Sequence, residues 1–234
     1  MDAGERDCLM DARERDYLRY LQGVHSSGTL QVNVRVRFAS PLRGSFTPVT
    51  RLYFATEIGW CATMRWLLDL GADPDEGLIE PEGPWEDRLT PLHEAAYRGR
   101  NDAAVILLDA GAQVDAIGLD GSRPLHEAAI CGHKDTCKLL LSRGASIDVR
   151  NIAGDYPETS AQIHSRFNKD MRAWDYELYR FLAAVRAAGG WAAYVQVPRT
   201  QLLALRRELP ALRESGRASP SSVRLHERLF VEIP

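Results

Sequence analysis

Two blocks of this 234-residue chain each occur twice at one spacing. Leu89-Thr90-Pro91-Leu92-His93-Glu94-Ala95-Ala96 returns 33 residues later as Ser122-Arg123-Pro124-Leu125-His126-Glu127-Ala128-Ala129. Downstream, Leu107-Leu108-Asp109-Ala110-Gly111-Ala112 returns, also after 33 residues, as Leu140-Leu141-Ser142-Arg143-Gly144-Ala145. Two separate blocks that keep one offset mark a structural repeat, and a period of this size points to architectures in which short units stack. A looser copy precedes them: Thr50-Arg51-Leu52-Tyr53-Phe54-Ala55-Thr56 and Leu67-Leu68-Asp69-Leu70-Gly71-Ala72 both lie 40 residues before their counterparts. The surplus falls after Asp75, in a stretch from Glu76 to Arg88 that holds Pro81, Gly83, Pro84 and Trp85 and reads as an enlarged loop. A degraded fourth copy starts at Gly154-Asp155-Tyr156-Pro157 and closes late, at Gly189-Gly190, so about twelve extra residues, assigned to Gln162–Ala173, separate its two helices. The units are therefore 48–75, 88–120, 121–153 and 154–190.

Each unit reads as two short helices. Thr90 is a helix N-cap followed by Pro91, which has no N–H to lose in the first turn. Glu94 and Glu127 fall in that turn, where a carboxylate complements the helix dipole. Ala95-Ala96 and Ala128-Ala129 are small enough to let neighbouring helices approach closely. Gly99 and Gly132 supply the left-handed residue that ends the first helix. The second helix carries Ala104, Leu107 and Leu108, then Cys137, Leu140 and Leu141, one apolar stripe per unit. No unit buries its stripe alone, so stability must come from stacking. Truncating Leu108 or Leu141 to alanine is expected to cost ~2–5 kcal/mol. Arg123 occupies the capping place of the third unit, which forgoes a cap worth ~1 kcal/mol.

Thr-Pro-Leu-His-x-Ala-Ala, then Gly, then Leu-Leu-x-x-Gly-Ala at a period of 33 resembles the ankyrin repeat, over about residues 48–190. The first unit departs from that pattern at Arg51 and Tyr53, where proline and histidine are usual, and the fourth at Glu158 and Thr159, where leucine and histidine are usual. The resemblance implies an all-α solenoid of about four stacked helix-turn-helix units, the last degenerate, with a helical C-terminal cap. It also implies that His93 and His126 tie repeat to repeat, and that a protein partner docks on a concave face. That face would hold Glu57 and Ile58, Tyr97 and Arg98, and Ile130 and Cys131 on the first helices. Its turn tips would hold Glu86, Asp87 and Leu89, then Leu119, Asp120 and Ser122, then Ile152, Ala153 and Asp155. Aromatic and arginine anchors such as Tyr97 and Arg98 suit a protein interface.

The ends are less regular. Within 1–47, a polar helix with Tyr17, Leu18 and Leu21 on one side is expected. Strict alternation from Leu30 to Phe38 then signals a strand. It has no evident partner, and a poorly anchored, partly disordered extended segment fits the same residues. Within 191–234, Trp191 and Tyr194 read as a cover over the last apolar face. Leu202, Leu203, Leu205 and Leu209 form a helical stripe that Pro210 ends or kinks, before a Ser/Gly/Pro-containing linker. Pro198 with this leucine-rich stripe is loosely similar to the boxes that connect ankyrin proteins to ubiquitin ligases, but the usual cysteine is missing. The alternative to a plain interaction module is therefore a substrate-recognition adaptor that uses this tail.

Other chemistry is disfavoured. His93-Glu94 and His126-Glu127 lack the second histidine of a zinc protease motif, since Tyr97 and Ile130 stand in its place. No Gly-rich phosphate loop and no Gly-x-Ser-x-Gly elbow occurs, so no catalytic, metal or cofactor-binding residues are expected. Four cysteines without a Cys-x-x-Cys pair do not make a disulfide scaffold or zinc ribbon. The formal charge is −3, and the 26 arginines that outnumber three lysines are spread from Arg6 to Arg228. Neither feature points to nucleic acid or a membrane surface. Without a long apolar run or an apolar stretch behind the charged start, an intracellular, cytoplasmic, monomeric protein is expected.

Overall fold

The computed structural model describes residues 12–37, 48–79, 88–161 and 172–195. In chain order it contains α1 (Ala12–Ser26), β1 (Val36–Arg37), β2 (Pro48–Val49), α2 (Arg51–Ile58), α3 (Cys61–Asp69), β3 (Leu78–Ile79) and β4 (Arg88–Leu89). Then follow α4 (Pro91–Tyr97), α5 (Asn101–Asp109), a 3-10 turn (Leu119–Gly121), α6 (Pro124–Ile130), α7 (Lys134–Ser142) and α8 (Arg172–Ala187). Residues 157–161 are also helical. Two compact units divide the chain, 1–191 and 192–234, and only 192–195 of the second are described. The leucine-rich tail, and with it the adaptor reading, lies outside the described residues.

The stack runs in two parallel rows. First helices pack on first helices, α2 on α4 and α4 on α6, while second helices follow suit, α3 on α5 and α5 on α7. Leu52, Leu92 and Leu125 from the first row and Leu67, Leu107 and Leu140 from the second are almost wholly buried. Ala95, Ala96, Ala128 and Ala129 are buried between the first-row helices, where a larger side chain would force the rows apart. Leu141 is buried as expected, but Leu108 is only half-buried and Leu107 is the deeper residue of that pair.

The caps follow the sequence. The Thr90 and Thr50 hydroxyls accept the backbone N–H groups of His93 (3.4 Å) and Tyr53 (3.1 Å). Arg123 caps nothing with its side chain, and its guanidinium instead donates to the Asp115 carbonyl at 2.6 Å. Second helices end alike: Ala72, Ala112 and Ala145 donate to the carbonyls of Leu67, Leu107 and Leu140 at 2.9–3.0 Å.

Of the strand expected over 30–38, the described residues form only Val36–Arg37, and this strand does have a partner. It pairs antiparallel with Pro48–Val49, as Leu78–Ile79 pairs with Arg88–Leu89 in front of the next unit. Residues 12–37 in fact reproduce the second half of a repeat. Helix α1 lies against α3, and Gly28 closes it with a left-handed φ of 74°. Thr29 donates to the Val24 carbonyl (3.4 Å), the same closure that Ala72 makes to Leu67. A ladder of turns continues the correspondence. Asn33 accepts from the Asp73 amide (2.9 Å), Asp75 from that of Gln113 (3.0 Å) and Asp115 from that of Ser146 (3.1 Å).

Glu14 joins this half-repeat to the first full one. Its buried carboxylate accepts from the Thr63 amide at 2.9 Å, capping α3, whose own N-cap residue Trp60 supplies no side-chain bond. Beside it, the Tyr17 ring meets those of Trp60 (5.3 Å) and Phe54 (6.2 Å), and Leu21 is fully buried.

The fourth unit keeps the plan with altered chemistry. Gly190 donates to the Val185 carbonyl (3.0 Å), closing α8 in the same way as its predecessors. At 16 residues α8 is seven longer than α7, so more than half of the surplus lengthens this helix. The rest of the stretch assigned to the surplus, 162–171, lies outside the described residues. Glu158 and Arg186 stand where the third unit has Leu125 and Leu141, and they form an ion pair with the carboxylate buried. Two guanidiniums, those of Arg150 and Arg186, each lie 4.3 Å from the Tyr156 ring centre.

Candidate functional site

The histidines of the repeated motif are built into the stack. In His93, Nδ1 accepts from the Thr90 amide (3.2 Å), and Nε2 donates across to the Ser122 carbonyl (3.3 Å). His126 repeats the pattern with the Arg123 amide and the Asp155 carbonyl, at 3.2 Å each. Burial drives the His93 pKa down to about 4 and lowers that of His126, which keeps both neutral with one donor and one acceptor nitrogen. A Cβ on Gly118 would come within 2.6 Å of His93 Nε2, so a glycine there lets the turn close over the ring. His133, outside the motif, adds a third link by donating to the Tyr97 carbonyl at 3.1 Å.

The exposed ends of the first helices are held by an ionic network. Arg98 Nη2 lies 3.3 Å from Glu57 Oε1, and Arg98 Nε pairs with Glu94, which also accepts from the Tyr53 hydroxyl at 2.8 Å. Arg100 donates to the Glu57 carbonyl at 3.0 Å. Glu57, expected on the surface, is therefore 1% exposed, because the arginines of the next unit close over it. Arg98 likewise is a clamp between two units and not a free anchor.

The remaining expected residues separate into two groups. Tyr97 is 49% exposed, Ile152 is 70% exposed, and Asp120 is exposed with a left-handed φ of 54°. The Ile152 amide donates to the Asp120 carbonyl at 2.8 Å, which joins successive turn tips. Ile58, Ile130 and Cys131 are half-buried. Ser122 and Asp155 are also half-buried and are engaged through their carbonyls by the two histidines. Leu119 lies in the 3-10 turn, and Leu89 is partly buried against the Tyr53–Phe54 cluster. Glu86 and Asp87 lie outside the described residues.

Sequence reasoning passed over Glu127 on this face. It occupies the place of Glu94 one unit on, but neither partner of Glu94 recurs. Cys131 stands where Arg98 would be, and His93 stands where Tyr53 would be. Among the described residues the Glu127 carboxyl makes no hydrogen bond or ion pair, while its backbone N–H and C=O are engaged by Arg123 and Cys131. Burial, with the Glu94 and Asp120 carboxylates nearby, pushes its pKa up to about 7. Burial and the neighbouring Glu127 raise the Cys131 thiol to about 12, which makes it a poor nucleophile. Register comparison, asking which charged position loses its partner in the next unit, could have found Glu127.

Among the described residues no three His, Cys, Asp or Glu side chains gather as a metal-binding group, and no helix is long and apolar enough to cross a membrane. The two rows of short helices, linked by histidines and turn-to-turn hydrogen bonds, define a stacked helical-repeat protein. A family model, ankyrin repeats in three copies, matches residues 52–151. Residues 52–151 are thus three ankyrin repeats, the first three full units of the array. Comparison with curated proteins finds no match. Ankyrin repeats generally mediate protein–protein interaction and are typically non-enzymatic.

Proposed function

We propose that this array is an interaction module that holds a protein partner on the exposed side of its first helices and on the adjoining turn tips. Tyr97, Asp120, Ile130 and Ile152 form the centre of that docking face, with Ile58 at one margin. The observation that carries the reading is Tyr97, a half-exposed aromatic on a backbone pinned by His133 and beside a clamped Arg98. A large side chain held this way loses little freedom on binding, which favours it as an anchor. Arg98 supports the face from below: its removal would take a bridging cation from two buried carboxylates, Glu57 and Glu94.

Arg98 is therefore left intact in the test, which pairs Tyr97→Ala with Ile152→Ala. Partners recovered with the wild-type chain should be lost with this double variant while its melting temperature stays within a few degrees of wild type. Partners that bind both proteins equally would place the docking surface elsewhere.

A further inference from the structure

We infer that the docking face takes a partner segment bearing an arginine or lysine beside an aromatic or aliphatic side chain, with the cation seated on Glu127 and its apolar neighbour on Tyr97 and Ile130. This inference rests on the docking reading above and adds the chemistry of the partner.

The protein supplies the template. Between the first two units, the guanidinium of Arg98 spans carboxylates from neighbouring repeats, Glu57 and Glu94. One unit further on the carboxylate recurs, as Glu127, and the guanidinium does not. The residue four places along is Cys131, short and uncharged at neutral pH because its thiol titrates at about 12. The hydroxyl that Tyr53 extends to Glu94 has no successor either, since His93 turns its Nε2 to the Ser122 carbonyl. A half-buried carboxyl is thus left without the two donors that satisfy its counterpart.

The charges around Glu127 favour a cation from outside. Glu94 and Asp120 lie close enough to raise its pKa. Arg98, whose charge acts on the adjoining Cys131, is already shared by two carboxylates. An incoming guanidinium or ammonium would ionise Glu127 and pair with it in a partly desolvated place, where such a contact outweighs an exposed ion pair. The flanking exposure of Tyr97 and the half-exposure of Ile130 offer apolar area for the residue next to the cation.

The test uses the full chain and a phage-displayed library of random dodecapeptides, followed by fluorescence anisotropy with the enriched sequences as synthetic peptides. Enriched peptides should carry Arg or Lys next to an aromatic or aliphatic residue. Their affinity should fall at least about tenfold with Glu127→Gln, a loss typical of a truncated charge pair. Cys131→Arg, which restores the internal guanidinium, should also abolish binding while raising the melting temperature. Peptides lost with Tyr97→Ala but lacking a basic residue and indifferent to Glu127→Gln would overturn this inference and leave the docking reading standing. Peptides indifferent to both substitutions, or no enrichment at all, would overturn both.

Discussion

The middle of the array and its two ends are held by different forces. Between α4 and α7 the units meet through leucine and alanine, with the histidine links set at identical positions 33 residues apart. At the first end, α1 covers α3 with an aromatic group around Tyr17 and Trp60 and lends Glu14 as a cap. At the other, a leucine pair gives way to Glu158 and Arg186, flanked by Tyr156. An internal unit can rely on a neighbour of its own kind on both sides. A terminal one meets something else on one side, and its chemistry departs from the consensus there.

The largest loss is expected in the middle of the array. Leu140→Ala removes a fully buried side chain from a row that cannot collapse around it, and should cost about 2–5 kcal/mol in chemical denaturation. The equivalent truncation at Leu107 should fall in the same range, whereas Leu108→Ala should cost clearly less because Leu108 is half-buried.

Smaller, and of a different kind, is the effect expected at the fourth unit. Arg186→Leu strands a buried carboxylate. The loss should be about 2 kcal/mol, below the ~3–5 of a fully enclosed pair, because the Arg186 side chain is 38% exposed. Replacing both members, Glu158→Leu with Arg186→Leu, restores the residue types of the third unit and should recover most or all of that loss. A double variant weaker than the single one would show that the pair is worth more than an apolar contact.

Glu14→Ala gives the smallest change, about 1 kcal/mol, the usual value of a lost helix cap. The loss should appear locally, as faster exchange of the Thr63 amide, before it appears in the global melt.

The sequence disclosed the middle far better than the ends. Pro91, Pro124, the alanine pairs and the glycines recur because identical neighbours impose identical geometry, and such recurrence is visible in a single chain. The half-repeat at 12–37 was hidden because, apart from the closing Gly28, it keeps functions rather than residues. Asn33 replaces an aspartate in the turn ladder, Thr29 replaces an alanine in the helix closure, and Glu14 acts on a helix 49 residues away. The alternation from Leu30 to Phe38 promised a full strand, yet among the described residues only Val36 and Arg37 pair, with Val49 and Pro48.

The docking face was legible by position and misleading by chemistry. Tyr97 and Ile152 stand in the open as their places in the repeat require, but Glu57 and Arg98 stand at similar places and have found each other. Whether a charge faces water or a partner depends on residues 41 positions away, and no local pattern records that. Glu127 was missed for the converse reason: its importance lies in partners that fail to recur.

Native-state hydrogen exchange across the full chain asks whether apolar stacking makes the middle the stable body to which aromatic and polar contacts of their own fasten the ends. The account predicts that amides of α4 to α7 exchange only through global unfolding, while those of α1 and α8 open at lower free energy. Exchange in α4 to α7 that is as fast as in α1 and α8, or faster, would contradict it.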